Sequence, residues 1–298
     1  MKNIRIIPKL DIKGPNLIKS IQFDGHRVLG TADQFAEIYY KEGADELIYQ
    51  DTVASLYQRN SLKKIISATA EKVFIPITVA GGIRSLDDMK SLLRAGADKI
   101  AINTAAVENI DLIQNGAKKF GSSCIVSSLE VFKQKNGKYE IWKDFGRERT
   151  LIDAIEWSKR VVDAGAGEIL LTSIDREGTG EGYDLELVDT IASSVTVPVI
   201  ASGGAGKKEH IEEVVSIGNA DAVSAASLFH YNYWKMIDRE KLVIYKNELR
   251  MGKHIDIGNI DFLMNGYGGN QDIMVDPISI NEAKNMVFSK GNENVGIG

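Results

Sequence analysis

An internal repeat constrains the fold of this chain more than any other feature of its sequence. Residues 43–48 return as residues 165–170, and the Val-Ala-Gly-Gly-Ile of 79–83 returns, at the same displacement, as the Ala-Ser-Gly-Gly-Ala of 201–205. A displacement of about 120 residues is too long for a solenoid unit of roughly 20–50 residues, but it is half of a barrel of about 250 residues. The repeat therefore predicts an α/β fold, a (β/α)8 TIM barrel built from two homologous half-barrels.

Short apolar runs alternate with amphipathic stretches along the chain, which is the pattern of a parallel sheet with helical crossovers. The predicted strands are residues 4–10, 47–50, 77–79, 100–103, 125–130, 169–172, 199–201 and 222–225. The helices predicted between them are residues 32–42, 61–70, 86–95, 107–120, 152–164, 185–194 and 209–217. Eight strands are the number that a closed barrel of this type requires.

The eighth helix of the barrel is displaced along the sequence. Residues 279–287 open with Ser279 and carry Glu282 three positions later, a capping box that marks the start of a helix. We therefore expect residues 1–298 to form one barrel with an insertion at 232–277, in the loop before the last helix. The alternative is a barrel that closes near Leu249 and is followed by a tail.

Composition excludes several classes of function. A net charge of −5 without a concentrated basic face argues against nucleic acid as a partner. The chain contains neither a signal-peptide pattern nor an apolar stretch of about 18 residues, which predicts a cytoplasmic protein with no membrane contact. The four histidines lack metal-ligand spacing, and the sequence has no dinucleotide fingerprint, so neither a metal nor another cofactor is expected.

Two carboxylates occupy equivalent positions in the two half-barrels. Asp11 ends the first strand and Glu130 ends the fifth, so both are expected at the mouth of the barrel, where the carboxyl ends of the strands meet. Two carboxylates facing one substrate from opposite sides can act as a general acid and base. Lys19, in the loop after the first strand, can reach over the same mouth toward an anionic substrate.

Two symmetric anion sites are predicted beside these carboxylates. Gly81-Gly82 with Asn103 and Thr104 would form the first site, and Gly203-Gly204 with Ala226 and Ser227 the second. Glycines at strand ends let backbone N–H groups approach a phosphate. A pair of such sites on opposite rims predicts an elongated substrate with a phosphate at each end, although the glycines could instead serve only tight turns.

Four charged residues fall at the opposite ends of the strands, where they would line the floor of the barrel: Arg5, Glu46, Lys99 and Glu168. If they project inward, two positive and two negative charges balance one another, which buried charges require. Such a floor ring can simply close the barrel, or it can admit a small polar molecule.

With these residues in place, the chain resembles the HisF family, the cyclase subunits of imidazole glycerol phosphate synthase. The stretches that carry the resemblance are residues 5–8 with Asp11, 43–47, 94–99, 102–109, 165–173 and 200–206. The resemblance covers nearly the full chain apart from the predicted insertion. It implies a glutaminase partner of the HisH type at the N-terminal face of the barrel, and ammonia that passes through the barrel to a substrate with two phosphates.

In such enzymes, ammonia and N′-phosphoribulosyl-formimino-aminoimidazole-carboxamide ribotide give imidazole glycerol phosphate and an aminoimidazole ribotide. The resemblance implies that Asp11 and Lys19 are catalytic and that the floor ring is the ammonia gate. It also implies that Asp98 lies at the glutaminase interface and that Glu177 and Gly178 lie beside the second phosphate.

The departures from the family pattern lie at the mouth: Glu130 replaces an aspartate, Lys9 a small residue, Ala80 a glycine and Glu177 an aspartate. An intact floor below an altered mouth is also similar to HisF-like paralogues that supply ammonia for acetamidino groups in surface polysaccharide synthesis. A third hypothesis is the related sugar isomerase of histidine synthesis. The floor ring counts against it, because that isomerase needs no ammonia gate.

Overall fold

The computed structural model describes residues 3–14, 16–21, 24–52, 62–236 and 275–288. Within them, eight parallel strands close into a barrel, as the sequence predicts. Each strand pairs with the next, and the last pairs with the first through Arg5 and Ala222. The barrel strands, in order, are β1 (Arg5–Lys13), β4 (Leu47–Asp51), β5 (Ile77–Ala80), β6 (Lys99–Ile102), β7 (Ile125–Lys133), β10 (Glu168–Ser173), β11 (Val199–Ser202) and β12 (Ala222–Ala225).

Helices cover the outside of the barrel and bury their apolar faces against it. They are α1 (Ala32–Lys41), α2 (Leu62–Ala70), α3 (Leu86–Arg94), α4 (Thr104–Glu108), α5 (Asp111–Phe120), α6 (Ala154–Asp163), α7 (Leu185–Ser194), α8 (Lys208–Ser216), α9 (Ser227–Tyr233) and α10 (Ile280–Phe288). Two short 3₁₀ turns, Ser122–Cys124 and Trp234–Met236, complete the helical elements of this part of the chain.

Two of these helices differ from the sequence prediction. The helix expected over 107–120 is divided at Asn109, whose side-chain oxygen accepts from the backbone N–H of Asp111 at 3.0 Å. Asparagine commonly competes with the helix for backbone groups in this way. The helix expected from residue 152 begins at Ala154, because Asp153 caps it by accepting from Ile155 and Glu156.

Helix α10 lies where a barrel needs its closing helix. It packs against α8, and the Lys284 ammonium reaches the Gly43 carbonyl and the Asp45 carboxylate at 2.7 Å, just beyond the end of α1. The capping box is formed, with Ser279 Oγ accepting from the Glu282 N–H at 3.1 Å and Glu282 accepting from Ser279 in return. Most of the predicted insertion, residues 237–274, lies outside the described residues, so the insertion remains a prediction.

Two antiparallel hairpins extend the barrel wall over the mouth. Strands β2 (Asn16–Ile21) and β3 (Asp24–Thr31) follow β1, and strands β8 (Tyr139–Lys143) and β9 (Glu148–Asp153) follow β7. The sequence analysis does not predict either hairpin. The pair Asn136-Gly137 lies in the turn that joins β7 to β8 and could have predicted that these strands are antiparallel, since this dipeptide favours the tight turns of hairpins and Gly137 has a φ of 83°.

Candidate active site at the barrel mouth

The residues that line the barrel interior come from alternate positions of each strand. In β1 these are Arg5, Ile7, Lys9 and Asp11, from the floor to the mouth, because successive side chains of a strand point to opposite faces. The layer above the floor ring is apolar and takes one residue from each strand: Ile7, Ile48, Ala80, Ala101, Val126, Leu170, Ile200 and Ala222. The polar mouth is therefore separated from the polar floor by a thin apolar layer.

The floor ring predicted from the sequence is assembled. Arg5 donates to Glu46 at 2.9 Å and also to Glu168, and the Lys99 ammonium lies 2.8 Å from each of the same two carboxylates. Thr78 donates a further hydrogen bond to Glu46 at 2.5 Å. Every charge of the ring thus faces two opposite charges, which compensates for the loss of hydration on burial.

Asp98 lies on the same side of the barrel, and its side chain has a structural partner. Its carboxylate accepts from the backbone N–H of Ile77 at 2.9 Å, and Asp45 and Asp221 make the same kind of bond to Ile6 and Val199. Each of these aspartates therefore fixes the start of a neighbouring strand. Asp98 is nevertheless exposed to solvent.

At the mouth, Asp11 and Glu130 are both buried, with 2% and 6% of their surfaces exposed. The Glu130 carboxylate accepts from the backbone N–H of Gly146 at 2.8 Å. Burial raises the pKa of Glu130 to about 7, and the Gly146 N–H and the Lys9 charge only partly oppose that rise. A carboxyl group with this pKa can both accept and donate a proton near neutral pH.

Asp11 belongs to a buried group of four charges. The Lys9 ammonium lies 3.4 Å from one Asp11 oxygen, the Lys19 ammonium lies 3.9 Å from the other, and Lys19 is 2.5 Å from Glu177. Burial opposes the charge on Lys19, but Glu177 and Asp11 raise its pKa above the ordinary value. Burial likewise opposes the charge on Glu177, yet Lys19 and Lys9 lower its pKa to about 2. Lys19 and Glu177 are therefore both ionised.

The first predicted anion site lies on a cavity of about 430 Å³. Gly81 and Gly82 have φ angles of 97° and 71°, and a Cβ at Gly81 would approach the Asp51 carbonyl to 2.4 Å, so this turn requires glycine. Asn103 and Thr104 line the same cavity.

Five carboxylates also line this cavity: Asp51, Glu108, Glu130, Asp144 and Glu148. Lys143 pairs with two of them, Glu108 at 3.0 Å and Glu148 at 3.4 Å.

The second predicted anion site is much smaller. Its cavity is about 20 Å³, room for roughly one water molecule. Gly204 has a φ of 104°, and a Cβ there would meet the Gly182 carbonyl at 2.1 Å. The remaining predicted residues of this site line the cavity together with Lys9 and Lys19: Glu177, Gly178, Ala226 and Ser227. The Lys19–Glu177 pair thus closes this end of the mouth.

Sequence reasoning misses two contributors to the mouth. Lys9 is noted only as a departure from the family, but it is 4% exposed and its charge acts on Asp11, Glu130 and Glu177. The loop between β8 and β9 supplies Gly146, which no sequence pattern assigns to the site. Alternation along β1 could have identified Lys9, since Arg5, Ile7 and Asp11 fix which residues face inward.

In the described part of the chain, no group of three or more histidine, cysteine, aspartate or glutamate residues is arranged to hold a metal ion. The same residues include no helix that is long and apolar enough to cross a membrane.

Comparison with known proteins agrees with this geometry. A model of the family described as "Histidine biosynthesis protein" matches residues 5–235. The imidazole glycerol phosphate synthase subunit HisF of Legionella pneumophila is 58% identical over 209 residues, which cover 70% of this chain and 99% of that protein. The subunit of the same name from Bacillus cereus (strain G9842) is 50% identical over 227 residues, which cover 76% of this chain and 90% of that protein.

A barrel with paired carboxylates at its mouth, a charged ring at its floor and this level of identity leads to one assignment. The chain belongs to the histidine biosynthesis protein family, among the HisF subunits of imidazole glycerol phosphate synthase.

Proposed function

We propose that this chain is the cyclase subunit of an imidazole glycerol phosphate synthase and acts in the cytoplasm. It uses ammonia to convert the formimino ribotide substrate into imidazole glycerol phosphate and the released aminoimidazole ribotide. The observation that supports this function most strongly is the buried pair Asp11 and Glu130 at one end of a barrel whose other end carries the floor ring.

Forming a ring from ammonia and releasing a nitrogen leaving group requires several proton transfers, which positioned acids and bases accelerate by roughly 10²–10⁴-fold. Glu130 has the pKa of about 7 that suits a group acting in both directions at neutral pH. Asp11 lies between Lys9 and Lys19 and serves as the second carboxylate of the pair. Lys19 holds the first hairpin over the mouth through Glu177 and supplies a positive charge to the substrate.

The substrate spans the mouth, with one phosphate at each predicted anion site. Gly82, Asn103 and Thr104 bind the first phosphate, and Gly178, Gly204, Ala226 and Ser227 bind the second, beside Glu177. Because the second cavity has room for about one water, the Lys19–Glu177 pair must separate when that phosphate enters.

Ammonia enters from a glutaminase subunit docked at the N-terminal face, near Asp98. It passes the floor ring when one of the four ion pairs opens, and crosses the apolar layer to the mouth. Three members of that layer are alanines, Ala80, Ala101 and Ala222, whose small side chains leave room for a small molecule.

The experiment that tests this function is turnover of the formimino ribotide by the purified chain in excess ammonium salt at alkaline pH, with products identified by mass spectrometry. Formation of imidazole glycerol phosphate is the expected result. If a folded protein binds and activates a glutaminase but forms no product, the cyclase function is wrong.

A second function is favoured by the contrast between floor and mouth. At the mouth, Lys9 and Glu130 differ from the residues usual in the family, whereas all four residues of the floor ring are present and paired. A chain of this kind can conduct ammonia to a separate enzyme that amidinates a sugar. In that case the glutaminase would be activated normally, and the ammonium-dependent cyclase reaction would be absent.

A further inference from the structure

The tip of the β8–β9 hairpin, Asp144-Phe145-Gly146, has an unusual backbone. All three residues are in the left-handed region, with φ angles of 54°, 58° and 69°. Glycine adopts this conformation freely, but for a bulky aromatic residue it is uncommon and costs conformational free energy. Such strain persists only where surrounding contacts impose it.

The contacts that impose this conformation join the tip to residues of the mouth. The backbone N–H of Asp144 donates to Thr104 Oγ1 at 3.0 Å, and the N–H of Gly146 donates to Glu130 at 2.8 Å. Just before the tip, the Trp142 carbonyl accepts from the Asn103 side-chain amide at 3.2 Å. Three residues placed in the active site therefore each bind the hairpin backbone.

Phe145 adds an apolar anchor between these hydrogen bonds. It is 6% exposed and packs with Ile174, Phe132 and Trp142, a separate small cluster beside the mouth. The rings of Phe132 and Trp142 lie 5.1 Å apart. Phe145 also lines the cavity beside Glu130, so its ring forms an apolar part of the wall there.

We propose that the hairpin tip Asp144-Phe145-Gly146 positions Glu130 for proton transfer, by fixing its carboxylate with the Gly146 N–H and by keeping water from it with Phe145. Glu130 has one more methylene than aspartate and therefore one more rotatable bond, so its carboxylate needs such a partner to stay in one place. The tip residues act through Glu130 and are positioning residues. The role of the tip in catalysis rests on the proposed function. The contacts between the tip and Glu130 do not depend on that function.

The test is Phe145→Ala, followed by titration of the Glu130 carboxyl. The protein is labelled with ¹³C at glutamate side-chain carboxyls, and the Glu130 signal is assigned by its loss in Glu130→Gln. Burial is the largest cause of the raised Glu130 pKa, so admission of water is expected to move its titration about one pH unit lower. Phe145→Leu keeps a smaller apolar cover and is expected to shift the Glu130 titration in the same direction by less than Phe145→Ala does.

Leu151→Ala is the matched control on the same hairpin, because Leu151 also has a positive φ, of 61°, but is 79% exposed and is not a member of the apolar cluster beside the mouth. It should leave the Glu130 titration unchanged. An unchanged titration in Phe145→Ala, with the fold intact by circular dichroism, would overturn the proposal, as would an equal shift in Leu151→Ala. If Phe145→Ala does not fold, the same comparison is made between Phe145→Leu and Leu151→Ala, where a smaller shift confined to Phe145→Leu is expected.

The titration needs no substrate, so it separates this proposal from the proposed function. If the cyclase reaction is also observed, the limb of the pH profile that Glu130 controls should move lower in Phe145→Ala by the same amount as the titration. A shifted titration in a protein without cyclase activity would leave the tip as a positioning element for another reaction. A pH profile that does not follow the titration would remove the tip from the mechanism.

Discussion

The floor and the mouth of this barrel both bury charged residues, but they balance them differently. At the floor, two cations and two carboxylates form a closed ring in which each charge has two opposite neighbours. At the mouth, Lys9 and Lys19 face three carboxylates, Asp11, Glu177 and Glu130. Among these five buried residues, carboxylates therefore outnumber cations by one.

Glu130 is the carboxylate of this buried group whose pKa suits it to transfer protons. Glu177 is held ionised by Lys19 and Lys9, which lower its pKa to about 2, whereas burial raises that of Glu130 to about 7. A group fully compensated by opposite charges stays in one protonation state, and a buried group without its own counter-ion is poised near neutrality. This difference in charge balance is compatible with the proposed roles, in which the floor conducts ammonia and the mouth carries out the reaction.

The largest effect is expected for Asp11→Asn at the mouth. Because a buried carboxylate of the acid and base pair becomes a neutral amide, kcat with ammonium salts should fall roughly 10²–10⁴-fold. Steady-state turnover and thermal unfolding would be measured together, because the loss of the charge that faces the buried Lys9 and Lys19 should also lower the melting temperature of the folded variant. Unchanged turnover in a folded variant would remove Asp11 from the mechanism.

At the floor, Lys99→Met should separate the two sources of ammonia. The variant removes one cation from both Glu46 and Glu168, so we expect glutamine-driven turnover to fall roughly 5- to 150-fold while ammonium-driven turnover is largely kept. Lys72→Met is the control, because Lys72 pairs with Glu37 on the surface. Equal losses with both ammonia sources would count against a gate.

Glu130→Gln should change stability in a way that depends on pH. In the folded state Glu130 has a pKa of about 7, against an ordinary value of 4.5 when unfolded, so the unfolded state binds fewer protons between these values. The parent protein therefore loses stability as the pH rises from about 4.5 to above 7. At pH 8 the variant should gain about 1–3 kcal/mol in the free energy of unfolding, and near pH 4 the gain should vanish.

Urea denaturation at several pH values would measure this difference. Glu148→Gln is a suitable control, since Glu148 is 61% exposed and pairs at the surface with Lys143. A gain in Glu130→Gln that is the same at every pH would mean that the ionisation of Glu130 does not cause it.

The smallest effect is expected at the second anion site. Ser227 is buried beside Gly204 and the Lys19–Glu177 pair, and its hydroxyl can donate to a phosphate. Ser227→Ala should raise KM for the formimino ribotide by roughly tenfold, the equivalent of one hydrogen bond to a charged group, with little change in kcat. Ser216→Ala, on the exposed side of α8, is the control. A change in kcat alone would argue for a role other than phosphate binding.

Sequence reasoning predicts the barrel well because its signals are local and repeated. All eight strands lie where apolar runs predict them, and the capping box of Ser279 and Glu282 marks the start of α10. Sequence reasoning fails where a single side chain changes the course of the backbone. Asn109 divides a helix that periodicity makes continuous, and Asp153 moves the start of another.

The sequence by itself determined the duplicated barrel, the floor ring and the positions of Asp11 and Glu130. These follow from spacing alone, since strand alternation and the repeat fix which residues face inward and at which end. Only the tertiary structure decided how the mouth distributes its charges. The pKa of Glu130 depends on its burial and on a hydrogen bond from Gly146, which is 16 residues away and reaches it only because the hairpin folds back. Burial and contacts between distant segments are properties of the folded chain, so no local pattern encodes them.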